Sequence, residues 1–227
     1  MSDYREESPV NPLPPIVVAL ALLIFGVELV FNFGQRGLLG GPEAVGWRID
    51  AMERFGFFPN VLSWMFETGR WPLEHIQRFV TYPFLHWSFT HMLMVIVFLL
   101  ALGKMVGEVF GTFAVLLIFF GSAIAGALAY MLVPSELPLV GGYPAVYGLI
   151  GSYTFMLWLS YPAAGRSRLS AFQLIAFLLG IQLLFGLIFG GNKDWVADIG
   201  GFAAGFLLSF TVVPGAISRM MDKLRQR

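Results

Sequence analysis

Four ionisable side chains interrupt the most apolar stretches of the sequence: Glu28, His86, His91 and Asp198. A charge inside a hydrocarbon layer costs free energy, so each is a candidate functional group. Asp198, in the segment ADIGGFAAG, is the most informative. It is either a hydrogen-bond partner for a hydroxyl or imidazole on a neighbouring helix, or an acid, base or ligand. Glu28 lies near Asn32 at one end of an apolar run, where we expect a structural role within reach of water or headgroups.

The two histidines are five positions apart at the start of an apolar run. On a continuous α-helix such residues point about 140° away from each other, so His86 and His91 are not expected to share a metal ion. Zinc would need further Cys, His or carboxylate ligands, and the chain has no cysteine. The sequence therefore predicts neither a metal site nor a cofactor.

A glycine-rich turn, Gly141-Gly142-Tyr143-Pro144, precedes another apolar run. Pro144 suits the first turn of a helix, so the turn presents Tyr143 at a helix N-terminus. Turns of this kind often carry a nucleophile. A tyrosine is a poor one, because its hydroxyl has a pKa of about 10 and the local sequence offers no base.

The composition indicates that these residues are positioned by a membrane protein. Of 227 residues, 57% are hydrophobic and 12% are charged, against about 25% charged residues in a soluble domain. Six runs are long and apolar enough to cross a bilayer: residues 14–33, 86–106, 109–133, 145–162, 169–189 and 195–213. We therefore predict an all-α bundle of six transmembrane helices.

The charges predict how this bundle is oriented. Formal net charge is zero and no long basic cluster occurs, which argues against nucleic-acid binding. Of the short loops on the other side, only the one with Lys193 carries a basic residue. The long first loop holds five arginines balanced by five acidic residues, but long loops count less, so the positive-inside rule places both termini in the cytoplasm. The basic residues that share the predicted cytoplasmic side are Arg5, Lys104, Arg166, Arg168, Arg219, Lys223, Arg225 and Arg227.

We expect a single membrane domain over residues 14–214, between a polar N-terminal tail (1–13) and a basic cytoplasmic tail (215–227). Its first loop, about residues 34–85, alternates aromatic and charged residues. This pattern favours short amphipathic helices lying in the membrane interface. A solvated loop with scattered aromatics is the alternative.

In this order, the motifs resemble the rhomboid family of intramembrane serine proteases. The resemblance covers nearly the whole chain from the first apolar run onward. It is carried by LHWSFTH, by the turn followed by AVYGLIG, by ADIGGFAAG and by Arg78, eight residues before His86. The positions that match the family pattern are His86, His91, Gly141, Tyr147, Gly200, Gly201, Gly205 and Arg78.

The departures from the family pattern fall on the residues that the resemblance assigns to chemistry. Tyr143 occupies the place of the serine nucleophile and Asp198 that of the histidine base. Val95 stands where an asparagine assists at the oxyanion, and Pro144 replaces a glycine. Loss of either member of such a catalytic pair typically costs orders of magnitude in rate. The resemblance therefore implies a degenerate site in which Asp198 pairs with Tyr143 or with a protonated His91.

We accordingly expect a rhomboid pseudoprotease of the bacterial inner membrane that binds transmembrane segments of client proteins without cleaving them. Ser88, Ser122 and Ser152 lie in no nucleophile-like turn. Proteolysis by an unrecognised route is the alternative; an aspartyl mechanism would need Asp194 beside Asp198, one turn away on the same helix. A transporter would show paired broken helices in two similar halves, which the sequence lacks.

Overall fold

The computed structural model describes residues 12–133, 135–189 and 193–213. Within these ranges the chain is helical, with a single isolated β-bridge between Phe57 and Leu139. The predicted all-α class is confirmed. The α-helices are α1 (Pro15–Gln35), α2 (Trp47–Phe55), α3 (Pro59–Thr68), α4 (Leu73–Ile76), α5 (Arg78–Thr81), α6 (Phe89–Phe110), α7 (Thr112–Tyr130), α8 (Tyr143–Ser160), α9 (Gln173–Phe189) and α10 (Trp195–Val212).

Four of the described helices, α1, α6, α7 and α10, are long and apolar enough to cross a membrane. Two others correspond to predicted spans: α8 has 18 residues and α9 has 17. The count of six crossings therefore stays a prediction. Both predicted tails lie largely outside the described residues.

The start of the second predicted span was wrong. Helix α6 begins at Phe89 rather than at His86, because Ser88 has extended backbone and its side chain accepts a hydrogen bond from the backbone N–H of His91. This is an ordinary N-cap. His86 consequently lies outside the helix, and its direction is not bound to that of His91 by helical geometry.

The centre of the bundle is α8, whose first half is almost wholly buried. Helix α10 lies against it in backbone contact. A Cβ atom added to Gly205 would stand 1.9 Å from the carbonyl oxygen of Gly148, and one added to Gly201 would stand 2.1 Å from that of Pro144. Small residues at this spacing allow two membrane helices to approach closely. The matching glycines thus hold the N-termini of α8 and α10 together.

The first loop is partly helical, as predicted. Helices α2 and α3 bury Met52, Leu62 and Met65, while Trp64 and Phe66 are exposed. Such two-sided segments suit a membrane interface. Their depth in the bilayer stays a prediction.

Arg78 connects separate helices of the first loop through hydrogen bonds and a cation–π contact. Its Nη1 atom donates to the carbonyl oxygens of Glu53 (2.8 Å) and Gly56 (2.7 Å), and its guanidinium lies over the ring of Phe58. Burial lowers the pKa of Arg78 below its usual value. The arginine therefore joins the end of α2 and the start of α3 to α5.

Glu28 is not in reach of water, contrary to expectation. It is 1% exposed and forms a two-pronged ion pair with Arg48 (Nη2 to Oε1 2.7 Å, Nη1 to Oε2 2.9 Å). Asn32 donates to the same carboxylate, and Arg48 also donates to the carbonyl oxygen of His86. The role is structural, as predicted. The partner comes from the first loop, twenty residues away, and no local pattern indicates it.

Replacing Glu28 alone is expected to destabilise the protein by about 3–5 kcal/mol, because Arg48 would keep a buried, unpaired charge. The double variant Glu28→Leu, Arg48→Met should lose less, since no charge is stranded. Unfolding titrations in detergent micelles measure both. Equal losses in the single and double variants would contradict this assignment.

Candidate functional site

Four rings contact one another in a row beside the turn that precedes α8. We call this row the column, and its members are His86, His91, Tyr143 and Tyr147. The His86 and His91 rings are 5.1 Å apart edge to face, and His91 stacks on Tyr143 with centroids 5.0 Å apart and planes inclined by 20°. Tyr147 follows at 6.4 Å from Tyr143. The two histidines therefore meet, contrary to the helical argument, because His86 precedes the helix. Together they offer only two ligands to a metal ion.

The turn before α8 is shaped around this column. Gly141 has φ of +107°, in the left-handed region that favours glycine, and an added Cβ would stand 2.6 Å from the Cε1 atom of His91. Its backbone N–H donates to the carbonyl oxygen of Tyr82 (3.0 Å). The turn thus delivers Tyr143 to the first position of α8, where its ring covers His91.

His86 faces the same turn as a hydrogen-bond acceptor. The backbone N–H of Gly142 points at His86 Nε2 at 3.4 Å, a long contact. Burial, aided by nearby His91 and Arg48, lowers the pKa of His86 to about 3. The ring is therefore neutral near pH 7, and the Gly142 N–H is turned toward an imidazole nitrogen.

Two positions beside the turn, Val95 and Pro144, supply no donor. Val95 is fully buried, and its Cγ1 atom lies 2.7 Å from where a Cβ on Gly142 would stand. Pro144 has no backbone N–H. An oxyanion needs preorganised donors, and neither of these two side chains provides one.

Asp198 is bound by a residue that sequence reasoning missed. The Nε2 atom of Gln182, on α9, donates to Asp198 Oδ2 at 2.8 Å, and Gln182 Oε1 accepts from the hydroxyl of Tyr147 at 3.2 Å. Asp198 is 2% exposed, and its Oδ1 atom has no partner among the described residues. The amide of Gln182 in the middle of α9 was the available signal, since such groups hydrogen-bond across membrane helices.

The expected pairing of Asp198 with Tyr143 or His91 was wrong. In the described part of the chain, the hydrogen bonds and ion pairs of the carboxylate include neither residue. The reason is geometric: Tyr143 and His91 stack on each other, so their rings belong to the column. Gln182 reaches the carboxylate from the neighbouring helix.

A cavity of about 280 Å³ opens beside this hydrogen-bonded group. Phe98 of α6 forms one wall, α8 forms the back and α9 forms the other wall. Its lining is mainly apolar, with Gln182 and Asp198 as the polar members besides the tyrosines. The lining residues are Phe98, Tyr143, Val146, Tyr147, Ile150, Leu178, Ile181, Gln182 and Asp198.

The serines of the described residues do not complete a catalytic pair. Ser122 and Ser152 are buried without a hydrogen-bond partner, and Ser88 caps α6 through the backbone of His91. Asp194 precedes the first turn of α10, and its carbonyl oxygen accepts from the Asp198 N–H at 3.1 Å. The two aspartates thus follow one another along one helix end rather than facing across a cleft, as a carboxylate pair would.

Replacing Gln182 with leucine is expected to destabilise the protein by about 1–3 kcal/mol, because it leaves a buried carboxylate without its donor. The double variant Gln182→Leu, Asp198→Leu should recover part of this loss. Unfolding midpoints in detergent measure both. A Gln182→Leu protein as stable as the unaltered one would show that the hydrogen bond contributes nothing.

The part of the chain that holds this site is also the part that matches known proteins. The Rhomboid domain model matches residues 73–215, which include the column, the turn and α10. A Bacillus subtilis (strain 168) protein named "Putative rhomboid protease YdcA" is 33% identical over 141 residues, covering 60% of this chain and 67% of its own.

Two plant relatives carry different names. "Inactive RHOMBOID-like protein 8" of Arabidopsis thaliana is 31% identical over 178 residues, covering 77% of this chain and 47% of its own. "RHOMBOID-like protein 4" of the same plant is 31% identical over 139 residues, covering 60% of this chain and 34% of its own. The chain thus spans a third to a half of these plant proteins.

Proposed function

This chain belongs to the rhomboid family, and from that premise we propose that it is an integral membrane pseudoprotease that binds transmembrane segments of client proteins without cleaving them. One observation carries the proposal: Tyr143 and Asp198, which stand at the family's nucleophile and base positions, are engaged in other contacts. Tyr143 stacks on His91, and Asp198 accepts from Gln182. Neither arrangement relays a proton from a hydroxyl to a leaving amine.

The surroundings of the turn support the same conclusion. Serine-type hydrolysis needs donors aimed at the oxyanion, and removal of one typically costs about 10²–10³ in rate. Here Val95 and Pro144 supply none, and the Gly142 N–H is directed at His86. One relative is named inactive and another is named a protease, so the names of relatives alone do not decide between the two.

The cavity supports client binding. It lies between α6 and α9 and is lined mainly by apolar side chains, as expected for a surface that receives part of a lipid-embedded helix. Ile181, at its rim, is 41% exposed, so the cavity reaches the outer surface of the bundle.

We further propose that both termini lie in the cytoplasm of a bacterial cell, in the inner membrane. An added Cβ on Gly107, near the end of α6, would stand 2.8 Å from Pro14, so the start of α1 and the end of α6 share one end of the bundle. Lys104 lies at that end. Arg166 and Arg168 follow α8, whose start lies at the opposite end beside His91. The positive-inside rule places the basic end in the cytoplasm.

Client binding is tested by photo-crosslinking in vesicles that hold the full-length protein and a library of single transmembrane segments. The proposal predicts crosslinked clients of intact length. Leu178→Trp, which fills the cavity, should reduce crosslinking, while Leu184→Trp on the same helix, at a 54% exposed position, should not. Clients that are recovered cut, or no crosslinking to any segment, would overturn the proposal.

A further inference from the structure

Asp198 lines the cavity beside α9 and carries an unsatisfied acceptor. The amide N–H of Gln182 donates to Asp198 Oδ2, and its oxygen accepts from the Tyr147 hydroxyl, which leaves Asp198 Oδ1 without a partner among the described residues. Among the residues that the structure describes, no lysine or arginine lines the cavity. A buried carboxylate oxygen demands a donor, most favourably a charged one. A ligand that brings a cationic or donor group would supply this partner.

The walls fit the rest of such a group. The rings of Tyr143, Tyr147 and Phe98 line the cavity with Ile150 and Leu178. Aromatic faces attract a cation, and the aliphatic side chains suit a methylene stem. About 280 Å³ is below the roughly 300–1,000 Å³ of a site for a drug-sized ligand. The cavity is therefore large enough for one long side chain and below the usual size of a site for a drug-sized ligand.

We infer that this cavity receives the side chain of a lysine carried by the client's transmembrane segment, with Asp198 Oδ1 as its counter-charge. The inference rests on the proposed function and names the class of client. A lysine is favoured over an arginine because Oδ2 is already taken by Gln182. A planar guanidinium pairs best with both carboxylate oxygens, whereas an ammonium needs only one.

The fold also sets the depth of this lysine. Asp198 is the fourth residue of α10, and Tyr143 is the first residue of α8. Both lie at the end of the bundle opposite Lys104, so the ammonium group sits about one helical turn inside that end. A client lysine is therefore recognised near one end of its span rather than at the middle.

The test uses the full chain in vesicles of phosphatidylglycerol and phosphatidylethanolamine. Because the chain has no cysteine, Leu169→Cys, at a position 79% exposed, accepts a single fluorophore. Polyleucine transmembrane peptides with an acceptor dye carry lysine, arginine, glutamine or leucine one turn from the matching end. Energy transfer measures binding of each peptide to the unaltered protein, to Asp198→Asn and to Asp194→Asn.

The lysine peptide should bind about tenfold or more tighter than the leucine peptide, and tighter than the arginine peptide. Asp198→Asn should remove this preference and keep binding of the leucine peptide, which also shows that the variant is folded. Asp194→Asn, a matched carboxylate change outside the cavity, should keep the preference. Moving the lysine two residues along the peptide should abolish it in the unaltered protein.

Binding of all peptides with equal affinity would overturn the lysine inference and leave client binding intact. Absence of binding by every peptide would overturn both. A lysine preference that disappears in phosphatidylcholine vesicles would show that it comes from attraction of the lysine to anionic phosphatidylglycerol, and this result also contradicts the assignment to the cavity. A preference retained by Asp198→Asn would place the recognised charge elsewhere.

Discussion

Restoring only a serine and a histidine is expected to leave the protein close to inactive. The double variant Tyr143→Ser, Asp198→His should label with a fluorophosphonate probe at a rate near background. Adding Val95→Asn and Pro144→Gly should raise that rate by about 10²–10³-fold, because both changes return a donor to the place where an oxyanion forms. In-gel fluorescence of purified variants measures the rates.

The structural reason lies in the surroundings of the turn. Val95 fills the space beside Gly142, and Pro144 cannot donate. The matched control is the four-residue variant with alanine at position 143, which should not label. If the double variant labelled as fast as the four-residue variant, the oxyanion side of the site would be intact and our account of it would be wrong.

A side chain at Gly205 is expected to cost about 3 kcal/mol or more and to abolish well-folded protein in Gly205→Leu. The Cβ would stand 1.9 Å from the Gly148 carbonyl oxygen, so α8 and α10 must separate rather than adjust a rotamer. Overpacking in a core that can adjust usually costs about 1–3 kcal/mol. The yield of monodisperse protein and the unfolding midpoint in detergent measure the loss.

Ala203→Leu is the matched control for that change. It adds a larger side chain to the same helix at an exposed position, and should leave the free energy of unfolding within about 0.5 kcal/mol of that of the unaltered protein. A Gly205→Leu protein with an unchanged midpoint would mean that the close contact of α8 and α10 does not stabilise the fold.

The sequence predicted what depends on local pattern. Apolar runs placed the major helices, and Pro144 lies in the first turn of α8 as expected. The turn before α8 also presents Tyr143 as expected. These features depend on residues close together in the chain, where periodicity and backbone preference act.

The partners of the buried charges could not be predicted, because they come from distant segments. Arg48 reaches Glu28 from the first loop, and Gln182 reaches Asp198 from α9. The expected pairing of Asp198 with Tyr143 is not formed, because the Tyr143 ring stacks on His91 instead. The predicted start of the second span, His86, was wrong for a local reason. Ser88 caps α6, so the helix begins after His86 although the apolar pattern starts earlier.

We propose that this rhomboid-family chain does not cleave peptide bonds, and one measurement tests this proposal directly. The unaltered protein is reconstituted in vesicles with a fluorogenic transmembrane substrate and, separately, exposed to a fluorophosphonate probe. We predict neither release of fluorescence nor labelling above that of empty vesicles. Substrate cleavage that is lost in Asp198→Asn, or a labelled serine in the unaltered chain, would contradict it.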